Sequence, residues 1–186
     1  PEDSNLTQED VSLSWNASDA DGDTLEYDLD IYDQDGRVVN DDSIASKSIS
    51  KTLSDGEYTW NITARDIYNS NTVSDNISET ESFLVDTTRP VKSKSGLNIN
   101  NSTETIPEQN DTVTIYSKWS DNFYMDRVVI YDSQTDTNKT VTLENDDWAN
   151  KTINAENISA GTLDYTVYAF DHLGNLEKYS NSASVE

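Results

Sequence analysis

Apolar and polar residues alternate along several stretches of the chain. In 53–66, LSDGEYTWNITARD, Leu53 leads a run in which Tyr58, Trp60, Ile62 and Ala64 alternate with Thr59, Asn61, Thr63 and Arg65. Val11, Leu13 and Trp15 repeat the pattern in VSLSW, as do Leu25, Tyr27, Leu29 and Ile31 in LEYDLDIYD. Such a period of two marks a strand with one face buried and the other wet. No stretch keeps a helical period. The clusters DADGD at 19–23, DQDG at 33–36 and SDG at 54–56 are turn chemistry, because Asp and Gly accept the backbone angles of tight reversals.

The second half repeats the first. ISAGTLDYTVYAFD at 158–171 aligns without a gap on 53–66, placing Tyr165 on Trp60, Val167 on Ile62 and Asp171 on Asp66. VVIYD at 128–132 matches LDIYD at 29–33, and VTIYSKWSD at 113–121 matches VSLSWNASD at 11–19. Three blocks in one order at an offset near 100 residues mean two tandem copies of a domain of about 95 residues. The join falls in VDTTRPVKS at 85–93, where Pro90 ends any ladder, giving domains 1–88 and 89–186.

Short strands with turns every 8–12 residues or so predict an all-β chain of two sandwiches. The string L-x-x-G-x-Y-x-W-x-I-x-A-x-D resembles the late strands of fibronectin type III and of bacterial or archaeal immunoglobulin-like modules. Asp86-Thr87-Thr88-Arg89-Pro90 is similar to the junction that introduces such modules, and 14–33 to their early strands. The resemblance covers nearly all of both halves and implies two tandem immunoglobulin-like, fibronectin type III-like β-sandwiches from a cell-surface glycoprotein, with an archaeal source expected. Two departures stand out. Tyr58 occupies a tyrosine-corner position, whereas the second copy has Leu163 there and Tyr165 two residues later. The opening PEDSNLTQED offers only Leu6 to a core, so the first strand of copy one is thin.

Charge narrows the function classes. Against 36 Asp+Glu stand 12 Lys+Arg, a net −24, which argues against nucleic acid and anionic membranes as partners. The acids are spread over both copies, so they form a solvated surface suited to high salt, where screening relieves self-repulsion. Cysteine is absent, removing disulfides and thiolate metal sites. No run approaches the 20 or so apolar residues of a membrane span, and the start without Met reads as a segment of a longer protein.

Asn-x-Ser/Thr occurs at Asn5, Asn16, Asn61, Asn76, Asn101, Asn110, Asn138, Asn150 and Asn157, among 19 asparagines in all. Chance predicts about four in so Ser/Thr-rich a chain. The alternation places Asn16 and Asn61 toward solvent. The excess reads either as an N-glycoprotein, hence extracellular, or as a by-product of a polar surface.

Asp19, Asp21 and Asp23, with Glu26 beyond, set oxygen ligands around Gly22 and resemble the start of a calcium loop, though not an EF-hand. In a sandwich of this topology they would share a pole with Asp66. Their counterparts Asp121 and Asp171 would meet the linker at Asp86, where calcium would stiffen the pair of domains. The alternative is that these acids make Asx turns. His172 is the single histidine and reads as a loop residue, so neither a catalytic triad nor a His-based zinc site is assembled. Trp15 and Trp60 are expected in the core; Trp148, among polar turn residues, either packs on its own sheet or presents an indole to a sugar or a neighbouring subunit.

The sequence therefore predicts no enzyme and no catalytic residue. It predicts a rigid, acidic extracellular module of a filament, surface layer or stalk, with N-linked glycans and calcium as candidate additions. Its partners would be other copies or neighbouring domains, one of which would donate a strand to domain 1. An adhesin or carbohydrate-binding module is the alternative, and an accessory domain of a secreted hydrolase the third.

Overall fold

The structure, a computed structural model, describes residues 5–20, 22–68, 71–77, 80–100 and 106–186, with the backbone alone at 5, 68 and 71–77. The chain divides into two compact units between Thr87 and Thr88. Both are all-β, and among the described residues the one helical feature is a 3-10 turn at Ala155–Asn157.

Domain 1 contains β1 (Asn5–Leu6), β2 (Asp10–Ser14), β3 (Thr24–Asp33), β4 (Gly36–Ile44), β5 (Ser48–Thr52), β6 (Gly56–Tyr68), β7 (Asn71–Ile77) and β8 (Glu81–Val85). One sheet runs β1-β8-β6-β3-β4, with β7 also paired to β6, and the other is β2-β5. Domain 2 contains β9 (Val91–Ile99), β10 (Val113–Ser120), β11 (Met125–Asp132), β12 (Thr137–Thr142), β13 (Asp147–Ile153), β14 (Gly161–Asp171) and β15 (Leu176–Val185). Its sheets are β13-β10-β9 and β12-β11-β14-β15. The repeat seen in the sequence is thus a repeat of strand order: β2, β3, β5 and β6 recur as β10, β11, β13 and β14. These are two tandem fibronectin type III-like β-sandwiches.

The period of two becomes burial. Along β10 the residues Val113, Ile115, Ser117 and Trp119 are each fully buried while their neighbours are half-exposed. In domain 1, Val11 and Leu13 pack with Tyr27, Leu29, Ile31, Trp60 and Ile62. Trp15 is half-buried at the margin of that cluster, its ring edge-on to Tyr27 at 5.5 Å between centroids. At Tyr58 the hydroxyl donates to the Ser54 carbonyl at 2.9 Å, closing the corner between β5 and β6. Domain 2 has no such corner at Leu163, which is buried. Its Tyr165 instead takes a hydrogen bond from the Asn181 amide at 3.3 Å and packs on Tyr179; burial, the leading cause, pushes the Tyr165 phenol up to about 12.

The two cores differ in a way that alignment makes plain. Domain 2 has Ser117 and Trp119 where domain 1 has Trp15 and Ala17, so the large ring has moved two residues along the same strand face. Likewise Lys151 lies opposite Ile115, the place Ile49 takes opposite Leu13. A buried lysine at a core position needs a partner, and Lys151, 6% exposed, lies 2.5 Å from Oδ2 of Asp132, itself fully buried. The lysine also donates to the carbonyl and hydroxyl of Thr137. Asp132 in turn accepts from the N–H and hydroxyl of Thr135, at 2.8 and 2.7 Å, which makes it the cap of the β11–β12 turn. Burial alone would raise the Asp132 carboxyl; the bonds from Lys151 and Thr135, with the lysine's charge, outweigh it and hold the group below its ordinary value.

Candidate functional site

Two kinds of feature stand out on these sandwiches: an acidic pole on each domain and an aromatic shelf on domain 2. The poles arise because the turn after β2 and the end of β6 lie at one end of domain 1, as their equivalents do in domain 2.

In domain 1 the structure brings Asp19, Asp23 and Asp66 together. Asp19 Oδ1 accepts the N–H groups of Gly22 and Asp23 at 2.8 and 3.0 Å, so this acid does serve as a turn cap. Gly22, at φ +89, supplies the left-handed residue that this turn requires. Asp66 is raised from its ordinary value, first by desolvation and then by the charges of Asp19 and Asp23, and its Oδ1 has no hydrogen-bond donor among the described residues. A raised carboxyl binds protons more readily folded than unfolded, so Asp66 weakens the domain as pH rises through the carboxylate range. The expected ligand Asp21 lies outside the described residues.

In domain 2 Asp171 is 1% exposed. Its Oδ1 accepts from the N–H groups of Leu173, Gly174 and Asn175, at 2.9, 2.7 and 2.9 Å, which fixes the turn after β14. Its Oδ2 has no donor among the described residues, and carboxylate oxygens of Asp171 and Asp121 come within 4.8 Å of one another. Asp121 accepts from the Phe123 N–H at 3.1 Å. Asp86, at the end of domain 1, is 1% exposed, and its N–H donates to the Leu6 carbonyl at 2.9 Å. Two acids that are buried or half-buried, one with an orphan oxygen, suit a hard cation that takes carboxylate oxygens.

The shelf is on the outer face of β9, β10 and β13. Trp148, 42% exposed, meets Tyr116 edge-on at 5.8 Å, so the indole both packs on its own sheet and faces solvent. Beside it lies an open depression of about 700 Å³ bordered by Lys92, Lys94, Tyr116 and Trp148. A smaller one, about 290 Å³, continues along Asn98, Thr114 and Asn150. An aromatic face with flanking amides and lysines can stack a sugar ring and hydrogen-bond its hydroxyls.

Of the candidate glycosylation positions, Asn16, Asn110, Asn138, Asn150 and Asn157 are exposed and Asn61 is half-buried. Asn101 lies outside the described residues, as do the side chains of Asn5 and Asn76. His172 is exposed in the β14–β15 turn, its N–H bonded to the Tyr124 carbonyl at 2.9 Å. The sequence reading passed over the Lys151–Asp132 pair; its signal is a lysine at the inward parity of AxKxI in β13.

No protein-family model and no curated protein matches the sequence. Among solved structures, fibronectin(III)-like modules of CbhA from Clostridium thermocellum are 14% identical over 99% of this chain and 87% of theirs, with a TM-score of 0.40. A two-domain fibronectin type III segment of chicken tenascin is 16% identical, covering 98% and 96%, with a TM-score of 0.39. A Ca2+-stabilized adhesin from an Antarctic bacterium is 14% identical, covering 98% of this chain and 46% of that one, with a TM-score of 0.42.

Proposed function

We propose that this chain is a non-enzymatic structural module of an extracellular, N-glycosylated surface protein, a filament, surface-layer or stalk segment in which tandem sandwiches act as an acidic spacer. The observation that carries it is the division of labour between buried and exposed positions. Inward strand positions fill two separate cores, while exposed positions of strands and turns hold most of the acids and the sequon asparagines Asn16, Asn110, Asn138, Asn150 and Asn157. Such faces keep a sheet soluble and discourage edge-to-edge association. At high salt, screening over about 3 Å removes most of the repulsion that −24 imposes.

Under tension such a spacer gives way one domain at a time. Extension of the single molecule is expected to show two unfolding events, each releasing roughly 300 Å of chain. A single event, or extension without resistance, would contradict a pair of domains that each resist tension.

Calcium at the acidic poles belongs to the same proposal. Binding to Asp121 and Asp171 would satisfy the orphan oxygen, and binding near Asp66 would relieve its repulsion by Asp19 and Asp23. At fixed ionic strength, calcium is expected to raise the melting temperature of domain 2, and Asp171→Asn to abolish that rise while preserving the turn through its amide oxygen. No response to calcium in the parent chain would dismiss the cation.

The shelf favours a second reading, a carbohydrate-binding adhesin module. Trp148, Asn150 and Thr152 share the outer face of β13, so a glycan on Asn150 would lie over the indole. The two readings therefore compete for one surface. Sugar binding lost on Trp148→Ala in unglycosylated protein would favour the second.

A further inference from the structure

The outer face of the β13-β10-β9 sheet carries residues that the matching face of domain 1 lacks. Where domain 2 has Tyr116 and Lys118, domain 1 has Ser14 and Asn16. Ser48 lies opposite Ser14 as Asn150 lies opposite Tyr116, which puts Ser46 in the place of Trp148. Two aromatic rings and a lysine thus stand where domain 1 has small polar residues, at positions outside the core cluster. Large rings that no core requires point to recognition.

Strand β9 shapes the site. A glycine inside a strand costs stability and marks a close approach. A Cβ at Gly96 would stand 2.7 Å from the Tyr116 hydroxyl oxygen, so the glycine lets the phenol lie across the sheet toward β9, where Trp148 meets it edge-on. The register of β9 on β10 shifts between Lys118 and Trp119, leaving Ser93 as an extra residue between Lys94, opposite Lys118, and Lys92, opposite Trp119. Such a bulge re-aims side chains and turns these two lysines apart. The Lys92 ammonium lies 3.2 Å from the centre of the Tyr179 ring and donates to Ser95 Oγ at 3.1 Å, whereas Lys94 is exposed. Both border the depression beside Tyr116 and Trp148. Neither has a carboxylate partner among the described residues, although the chain holds 36 acids against 12 bases. The acids nearest the shelf are engaged: Asp146 Oδ1 holds the Lys118 ammonium at 2.7 Å, and Asp147 Oδ1 accepts the Trp148 N–H at 2.7 Å.

We propose that this depression binds an acidic polysaccharide through a hexuronate unit, the sugar ring against Trp148 and its carboxylate on Lys92 and Lys94. The inference rests on the carbohydrate-binding reading above and adds to it the class of sugar. Two ammoniums without carboxylate partners make a positive island on a chain of net −24, and an anion is the ligand that complements it. A neutral sugar would use the indole and leave both charges unmet. A densely sulfated chain would be repelled by the acids spread over the rest of the surface, whereas one carboxylate per ring matches two lysines at a single place. Domain 1, with Ser14, Asn16 and Ser46 on the matching face, has none of these groups and binds no such sugar there.

The test titrates the unglycosylated full chain, at low ionic strength, with oligosaccharides of galacturonate, glucuronate and mannuronate. The methyl ester of each serves as control, since it keeps the ring and removes the charge. Calorimetry reads the affinity, and the Trp148 indole N–H resonance reads the place. At least one acid is expected to bind about tenfold more tightly than its ester and to shift that resonance. Lys94→Gln should cut this advantage about threefold, and Lys92→Gln added to it should abolish the advantage, with an unchanged near-ultraviolet circular dichroism spectrum. Trp148→Ala should weaken acid and ester alike. Equal binding of acid and ester would overturn the inference and leave the carbohydrate-binding reading standing, whereas binding of neither would overturn both. An advantage of the acid that survives the loss of both lysines, or tighter binding of a sulfated oligosaccharide than of any uronate, would also overturn it.

Discussion

Asp132→Asn is expected to destabilise domain 2 by about 3–5 kcal/mol, measured by denaturant unfolding, because it strands the Lys151 ammonium inside the sandwich. The amide keeps an acceptor for the Thr135 N–H, so the turn survives and the loss reports the charge. Pairing that change with Lys151→Met should recover most of the loss, since domain 1 already fills the matching place with Ile49. The pH dependence follows from the same pair. The folded-state Asp132 titrates below its unfolded value, so its contribution is complete above the unfolded value of about 3.9 and is lost as pH falls through the lower, folded one. Domain 2 of the parent chain should therefore lose stability steeply at acid pH, and the double variant should lose less. If Asp132→Asn unfolds domain 2 no more readily than the parent, the pair contributes nothing.

Trp119→Ala is expected to cost a comparable amount, about 3–5 kcal/mol, as truncation of a fully buried large aromatic usually does. The matching change in domain 1, Trp15→Ala, should cost clearly less, because Trp15 is half-buried and rests at the margin of its cluster. Calorimetry of the two variants separates these effects by domain. Equal losses would mean that the shift of the ring from the place of Trp15 to that of Trp119 is without consequence for packing.

These tryptophans also show what the sequence carried and what it did not. Alternation in β6 and β14 was legible because both strands lie against a core on one face, and the two copies support each other. Trp15 is less deeply placed than its parity predicts: its N–H still bonds to the Lys47 carbonyl, but its ring rests at the margin of the cluster, at the end of the strand. Tyr58 was legible as a corner, and the structure closes it on Ser54. The acids at the poles were legible as neighbours because strand order dictates which loops share an end, and Asp66 feels Asp19 and Asp23 accordingly. Nothing local distinguishes an acid that caps a turn from one that also leaves an oxygen unmet: Asp19 and Asp171 both accept turn amides, and only the depth of Asp171 makes its second oxygen costly. Lys151 was overlooked because its partner lies 19 residues away on the opposing sheet, and pairing at that range is decided by how the sheets stack.

The thin first strand of domain 1 was legible too, as a shortage of apolar residues before Val11. Where that strand goes was not legible, because its choice of neighbour depends on how the sheets stack. It pairs in parallel with β8, leaving β2 without a second neighbour among the described residues.

Whether these sandwiches form part of a glycosylated extracellular protein is read from the mass that residues 1–186 carry in native material. The polypeptide accounts for 20.8 kDa. In native material this stretch is expected to exceed that mass in sugar-sized steps, with glycopeptides mapping to Asn16, Asn110, Asn138, Asn150 or Asn157. The same stretch at its bare polypeptide mass, with those asparagines unmodified, would show that the protein carries no such glycans.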